Sequence, residues 1–359
     1  ELMDVTSYLN HYYFISVITL IMCFLSPHRS WSVDALMRPK LRSSTLPAWQ
    51  TYWLRFQVGL LYVYAGLAKL EPDWLLHAQP LNIWLPPLSG LPILGPFLEM
   101  TWIHFLFSWF AFLFDTFIIA FMLWRPARLY AFAVILVFHF FTHLFFNIGL
   151  FPFIMVFSVL VFFDAGWPRQ LMGGSKSFAE TNQSKHKTWV PAKLALVGFI
   201  FVFCTVQLLL PLRHLAYPGT VLWNEQGMRF SWRVMLREKS GSLEYLVITA
   251  DGTQNIVSPH RYLTEDQYRE MTGQPDMILQ LAHHIESEFV SMGKGPVEIY
   301  ANSLVSLNGR AARRMIEPDV DLTKIKDGLG RATWITSPPT EPPPLQAPLR
   351  LIVKNSTSN

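Results

Sequence analysis

The chain has 359 residues, of which 29 are basic and 25 acidic, for a formal net charge of +4. Only 22 of these charged residues fall within residues 1–212, which excludes a protein that is water-soluble throughout. The basic residues form short clusters between apolar runs and no continuous stripe, so no nucleic-acid partner is expected. Cys23 and Cys204 both lie in apolar runs, which implies neither a disulfide framework nor a Cys/His metal site.

Six apolar runs are long enough to cross a membrane as helices, at residues 8–25, 50–70, 100–124, 128–147, 148–163 and 194–212. Lys and Arg cluster after the first, third and fifth runs, and residues 71–99 contain none, which places residues 213–359 on the periplasmic or lumenal side. Residue 1 falls on that side and is not Met, so we expect an upstream crossing or a signal sequence. The sequence predicts a multi-pass protein of the bacterial inner membrane, or of the endoplasmic reticulum in a eukaryote.

The expected fold is an α-helical transmembrane bundle at residues 1–212, an extramembrane α+β domain at 213–336 and a Pro-rich extended segment at 337–359. Period-two alternation predicts strands at residues 231–237 and 243–249 around a hairpin turn at 239–242, with a second turn at Asp251-Gly252. Another strand is expected at 297–307, closed by Asn308-Gly309. Helical periodicity covers residues 264–289 and breaks near 273–275.

Ionisable side chains within membrane spans are costly and mark candidate functional sites. The predicted orientation places His11 and Lys69 in the same, outer leaflet. Tyr62, Gly66 and Lys69 share one helix face, where the glycine leaves room for another helix or a planar ligand. An amine partly removed from water is more readily neutral, as a general base must be. The alternatives are a helix-end lysine that reaches the headgroups and an interfacial histidine in an aromatic belt.

Two further histidines, His139 and His143, are spaced i, i+4 on one predicted helix. No HExxH pattern accompanies them, so we expect them to line the protein core or a quinone site, and we expect no metal. Asp115 lies in the middle of a span and must be neutral or paired, without an assigned role.

The segment Tyr62-Val-Tyr-Ala-Gly-Leu-Ala-Lys-Leu-Glu-Pro-Asp-Trp74 resembles the signature of vitamin K-dependent γ-carboxylases and of the wider HTTM membrane family. Further matches occur along almost the whole chain, in the same order as in the family. They are Asn10-His11, residues 31–34, 146–151 and 167–171, Trp223, Ser231-Trp232, residues 299–322, Arg331 and Trp334. Several motifs in one order are more specific than any one of them.

The resemblance implies an enzyme that couples oxygenation of vitamin K hydroquinone, phylloquinone-like or menaquinone-like, to γ-carboxylation of glutamate in a peptide or protein. Vitamin K epoxide is the second product, O₂ and CO₂ are co-substrates, and membrane lipid is expected to deliver the quinol. Lys69 matches the family's catalytic base, and Asn10 with His11 matches the pair that supports the hydroquinone and the developing oxyanion. The expected cofactor-binding residues are Asn10, Tyr62, Gly66, His139 and His143.

The expected glutamate-binding residues are Trp223, Ser231, Trp232 and Arg237. The chain has Met228 and Arg237 where the family has Tyr and His, although an arginine can still pair with a carboxylate. It ends soon after Trp334, which predicts a compact bacterial relative without the later β-sandwich and propeptide-docking surface. Two other functions stay open. One is a quinol-dependent oxygenase that does not carboxylate protein, and the other is a non-catalytic membrane binding protein with this fold.

Overall fold

The computed structural model describes residues 8–29, 32–43, 46–146, 148–164, 166–172 and 190–345. The chain divides into two compact units. We name them the helical unit, residues 9–67 and 112–211, and the sheet unit, residues 1–8, 68–111 and 212–359. Several positions that carry sequence predictions lie outside the described residues, namely residue 1, Trp31, Asn147, most of the basic loop after the fifth run and the end of the Pro-rich segment at 346–359.

The apolar first part of the chain is helical, because a helix satisfies every backbone hydrogen bond within its own segment. The long helices are Asn10–Phe24, Ala48–Ala68, Thr101–Leu123, Arg128–Phe145 and Val190–Leu209. The short helices are Val33–Met37, Pro72–His77, Leu81–Trp84, Gly95–Leu98, Phe151–Ser158, Trp167–Leu171 and Val221–Asn224.

Among the described residues, three helical stretches are long and apolar enough to cross a membrane: Thr101–Leu123, Arg128–Phe145 and Lys193–Ala216. They coincide with the third, fourth and sixth predicted runs. The first and fifth runs form the shorter apolar helices Asn10–Phe24 and Phe151–Phe162. The second run forms a helix of 21 residues that is less apolar, since it contains Gln50, Arg55 and Gln57. Six spans, and the side of the membrane on which the sheet lies, therefore stay predictions.

A buried amide and phenol network joins three helices of the helical unit. Tyr13 Oη lies 3.2 Å from Gln207 Oε1, and Gln57 donates from Nε2 to the same oxygen at 3.4 Å. Gln57 is fully buried, so its amide needs such partners inside the protein. Polar contacts of this kind hold apolar helices in register where no hydrophobic force acts between them.

The sheet unit contains a four-stranded antiparallel sheet of order β2-β1-β3-β4. The strands are β1 Lys239–Thr249, β2 Gln254–Val257, β3 Val297–Leu307 and β4 Arg313–Arg314. Buried and exposed residues alternate along β3, and Tyr245 opposite Ala301 is fully buried. Helices Glu265–Thr272 and Pro275–Ser291 cover this face, where Tyr245 Oη donates to Ile278 O at 2.7 Å. The predicted α+β character and the strand at 297–307 are confirmed.

The predicted turns at Asp251-Gly252 and Asn308-Gly309 and the helix break near residues 273–275 are also confirmed, and each has a local cause. Gly252 and Gly309 adopt φ of 80° and 78°, values that glycine reaches without strain. The helix that begins at Glu265 is stabilised by a capping box between Thr264 and Gln267. Pro275 starts the next helix, where its missing N–H costs nothing.

The predicted strand at 231–237 is wrong, and so is the turn at 239–242. Phe230, Trp232 and Met235 adopt φ of 65°, 58° and 58°, which an extended strand cannot accommodate. Of the alternating apolar residues there, Trp232 and Leu236 are buried and Val234 is half-buried. Residues 239–242 continue β1 and pair with residues 307–304 of β3. The predicted strand at 243–249 is correct as the second half of β1.

Candidate functional site

Lys69 follows the last residue of helix Ala48–Ala68 and is buried, with 6% of its surface exposed. Its Nζ lies 5.3 Å from the centroid of the Trp74 ring, within the range of a cation–π contact. A lysine that reaches the headgroups would keep its amine exposed, so this burial argues against that alternative. The amine is instead held against an aromatic face.

The Trp74 side chain is itself fixed. Its indole Nε1 donates to Ser108 O at 2.9 Å, and Ser108 Oγ donates back to Trp74 O at 2.5 Å. Both residues are almost fully buried. These reciprocal hydrogen bonds join helix Pro72–His77 to helix Thr101–Leu123. The aromatic surface beside Lys69 therefore has one orientation.

Asp73, next to Trp74, binds a pair of donors from the turn after β3. Arg310 donates from both terminal nitrogens, at 2.6 and 2.7 Å, and Asn308 Nδ2 donates at 2.7 Å. Burial raises the pKa of Asp73, but the hydrogen bonds from Arg310 and Asn308 outweigh it and hold that pKa below 3.8. The stabilisation by this carboxylate is thus present above pH 3.8 and is lost as the pH falls through the lowered pKa.

A second ion pair holds the residue before Pro72. Arg233 donates to Glu71 at 2.7 Å, and the same guanidinium lies 3.0 Å from His214 Nε2. The side chains of Arg233 and Glu71 are 9% and 22% exposed. Both carboxylates of the signature segment that follows Lys69 therefore bind arginines from residues 213–359.

In the helical unit, His139 and Tyr62 form a buried pair, with 3.0 Å between Nε2 and Oη. Phe151 lies 6.0 Å from the ring of His139 and 6.0 Å from the ring of His11, which is also buried. Phe114 packs edge-on against Tyr62 and His139. The second imidazole nitrogen of His139, Nδ1, is buried and has no hydrogen-bond partner within the described residues. The imidazole of His139 is thus packed among aromatic rings, and one of its nitrogens lacks a partner among the described residues.

His143 does not share this environment, because it is exposed and packs against Phe153 with 5.3 Å between ring centroids. Asn10 is half-buried at the start of helix Asn10–Phe24. Within the described residues, no group of three or more His, Cys, Asp or Glu side chains could hold a metal ion. Of the two histidines spaced i, i+4, only His139 is therefore in a buried environment.

Gly66 lies against another helix. A Cβ atom on Gly66 would lie 2.5 Å from Thr116 Oγ1 and 2.7 Å from Thr116 N. Close approach of another helix, one of the two uses that the sequence left open for this glycine, is therefore present.

We expect Gly66→Ala to destabilise the protein, because the backbone of Thr116 would have to move. Overpacking of this kind costs about 1–3 kcal/mol. Gly198→Ala is the matched control, since Gly198 is also helical and a Cβ there meets nothing within 4 Å. Thermal unfolding in detergent measures both. Equal melting temperatures for the two variants would contradict the packing role of Gly66.

Three of the four expected glutamate-binding residues are buried in the sheet unit. Trp223 donates from Nε1 to Thr336 O at 2.8 Å, and Ser231 donates to Met228 O at 2.5 Å. Trp232 is 0% exposed. Their side chains stabilise the fold of the unit and present little surface to a peptide.

Arg237, the fourth, forms an ion pair with Glu225, with 2.6 Å between Nε and Oε1. Lys239 donates to the same carboxylate at 2.7 Å and to the carbonyls of Trp223 and Gly273 at 2.8 and 2.7 Å. Burial lowers the pKa of Lys239 from 10.5 to about 8, although Glu225 opposes this effect. Sequence reasoning missed Glu225 and Lys239, and no local pattern marks either residue.

Glu225 also borders a pocket of about 620 Å³ in the sheet unit. Arg213 contributes a buried Nε that has no hydrogen-bond partner in the described part of the chain. Two motif residues, Arg331 and Trp334, line the same pocket. Its charged residues are Arg213, Arg229, Lys324, Lys326 and Arg331 against Glu225, Asp276 and Asp327. The excess of cations favours an anionic ligand.

Comparison with known protein families agrees with the sequence motifs. Residues 1–167 match the HTTM domain, and residues 192–341 match the lumenal domain of vitamin K-dependent gamma-carboxylase. The chain belongs to the vitamin K-dependent γ-carboxylase family. This confirms the resemblance found in the sequence. No solved structure matches the chain with significance.

Membership of the γ-carboxylase family indicates a carboxylase-like membrane enzyme, and the family implies use of vitamin K hydroquinone and glutamate-containing proteins. The structure also shows that Asp73, within the signature segment, binds Asn308 and Arg310. The sequence analysis assigned no role to these three residues. Their signal was present as an Asp in the Lys69 segment and an Asn-Gly turn after a strand.

Proposed function

We propose that this γ-carboxylase relative couples the oxygenation of vitamin K hydroquinone to its epoxide with γ-carboxylation of peptidyl glutamate. The observation that supports this most strongly is the burial of Lys69, whose amine lies against Trp74 in the family signature. A buried amine with an aromatic neighbour suits the proton acceptor of a reaction that must exclude water.

In this proposal Lys69 Nζ accepts the proton of a hydroquinone hydroxyl. When bound, the hydroquinone reacts with O₂ and supplies the strong base that removes the glutamate γ-proton before CO₂ adds. Trp74 excludes water from one side of the amine and keeps the Lys69 side chain in one orientation. Asn10 and His11, by family resemblance, support the oxyanion that develops.

We propose the aromatic cluster of the helical unit for the quinol ring. His139 Nδ1 has no partner within the described residues and would bind a hydroxyl group. Tyr62 fixes the imidazole through the 3.0 Å contact at the opposite nitrogen. Gly66 contributes helix packing to this unit, and His143 lies on an exposed face.

For the peptide we propose the cationic pocket of the sheet unit in place of the segment 231–237. A glutamate-containing peptide is anionic, and Arg213 and Arg331 offer donors to a carboxylate. Arg237 is already bound to Glu225, so it would act on a substrate only after that ion pair opens. The proposed orientation keeps this pocket on the periplasmic or lumenal side of a multi-pass membrane protein.

The second candidate is a quinol-dependent oxygenase without protein carboxylation. The pairing of Arg237 with Glu225 favours it, because the arginine expected to hold the substrate is occupied. A non-catalytic binding protein is disfavoured, since removing a lysine from water is costly and such a protein has no use for a buried amine.

One experiment separates these functions. Detergent-purified protein is incubated with vitamin K hydroquinone and O₂, with and without a glutamate peptide and labelled bicarbonate. Epoxide with label in the peptide supports the carboxylase. Epoxide without label selects the oxygenase, and absence of both products favours the binding protein.

We expect Arg331→Ala to raise the KM for the glutamate peptide by about 10–150-fold, which corresponds to the loss of about 1.5–3 kcal/mol from a charged hydrogen bond. Epoxide formation without peptide should stay unchanged, because the pocket does not hold the quinol in this proposal. Arg261→Ala is the control, since Arg261 pairs with Glu288 and does not line the pocket. An unchanged peptide KM in Arg331→Ala would move the peptide site elsewhere.

A further inference from the structure

The turn that closes β3 is built to present two rigid donors. Asn308 is fully buried with φ of 52°, its backbone N donates to Glu238 O at 2.8 Å, and its Oδ1 accepts from Glu238 N at 2.8 Å. Arg310 donates from Nε to Glu341 O at 2.7 Å. Asn308 is therefore oriented by Glu238, directly before β1, and Arg310 is oriented by the backbone of Glu341.

Their common partner is Asp73, and we call Asp73 with Asn308 and Arg310 the Asp73 clamp. All three of its hydrogen bonds are between 2.6 and 2.7 Å. The side chains of Arg310 and Asp73 are only 8% and 13% exposed. The clamp joins residues 237 positions apart and fixes the first turn of helix Pro72–His77 to the sheet.

Stability alone is a weak reason for such an arrangement. Burying a charge pair costs desolvation free energy. A protein with well-packed apolar residues in place of the pair is often equally stable. A buried bidentate pair does specify one geometry. Asp73 is bonded to Trp74 in the chain, and Trp74 carries the aromatic face on which Lys69 Nζ lies.

We propose that Arg310 and Asn308 are positioning residues for Lys69, acting through Asp73 and Trp74. The Glu71–Arg233 pair holds the same segment two residues before Asp73. This inference rests on the proposed function for its catalytic consequence, but the placement of the amine can be measured independently. The sheet unit thereby determines the geometry of a base that the sequence places at a membrane helix end.

The test measures acetylation of Lys69 by acetic anhydride, read by mass spectrometry, together with the kcat and KM of epoxide formation. In Arg310→Ala, we expect Lys69 to be acetylated roughly tenfold faster, because its segment opens locally. We expect kcat to fall by about 10²-fold, the effect of a misplaced reacting group, with the hydroquinone KM changed by less than about twofold. Arg310→Lys should recover part of both.

Arg313→Ala is the matched control, because Arg313 lies three positions from Arg310, is exposed, and pairs only with the half-buried Glu341 among the ion pairs of the described residues. It should leave Lys69 acetylation and kcat unchanged. Asp73→Asn and Asn308→Gly, which retains the positive φ, replace Arg310→Ala if that variant does not fold. Unchanged acetylation in these folded variants, or equal acceleration in Arg313→Ala, overturns the inference. If wild-type protein forms no epoxide, the proposed function fails. The acetylation rates still show whether the Asp73 clamp positions Lys69.

Discussion

Lys69→Ala is expected to abolish epoxide formation, because the buried amine is proposed to accept the first proton of the reaction. Removing a general base lowers a rate by about 10²–10⁴-fold. Lys69→Arg should fail as well, since a guanidinium stays protonated and cannot act as a base. A small primary amine added to Lys69→Ala should restore part of the rate. Chromatography of the quinone products measures these outcomes.

Lys294→Ala is the matched control for this prediction. Lys294 is another lysine of the sheet unit beside an aromatic ring, with Nζ 5.9 Å from the centroid of Phe289, but it is exposed. We expect it to form epoxide at the wild-type rate. Wild-type rates in Lys69→Ala or Lys69→Arg would show that Lys69 is not the base.

Glu225→Gln should destabilise the sheet unit strongly. The side chain of Glu225 is 8% exposed and neutralises Lys239, which is 1% exposed, together with Arg237. Removing one partner of a buried ion pair leaves an uncompensated charge and costs about 3–5 kcal/mol. Denaturant unfolding measures the loss. Glu225→Gln combined with Lys239→Met should recover part of the stability, because the buried cation is then absent.

The control for this prediction is Glu341→Gln, which breaks a pair whose side chains are 53% and 35% exposed. Pairs of this kind contribute under about 1 kcal/mol. If Glu225→Gln costs no more than this control, Glu225 is not the counter-ion that holds the cluster together.

The pH dependence of stability tests the same cluster. Between its lowered pKa of about 8 and 10.5, Lys239 is protonated in the unfolded chain and neutral in the folded one. The unfolded state then binds more protons, so the contribution of Lys239 to stability rises with pH across this window. Lys239→Met should lack this contribution, which unfolding curves at pH 7 and pH 10 compare.

Local sequence determined much of the fold. The apolar runs, the capping box at Thr264, the turn at Asp251-Gly252 and the strand at 297–307 each depend on neighbouring residues and were predictable. The strand expected at 231–237 is wrong because alternation in the sequence does not reveal the positive φ angles of Phe230, Trp232 and Met235.

The family and the candidate base also came from the sequence alone, since the motif around Lys69 is continuous and specific. Only the tertiary structure revealed that Asp73 binds Arg310, that Arg237 is bound by Glu225, and that Trp223 and Trp232 are buried. Asp73 and Arg310 are 237 residues apart, and either charge could equally have been solvated. Which of them meets a partner depends on how the chain packs, because an ion pair between distant residues leaves no periodicity in the sequence.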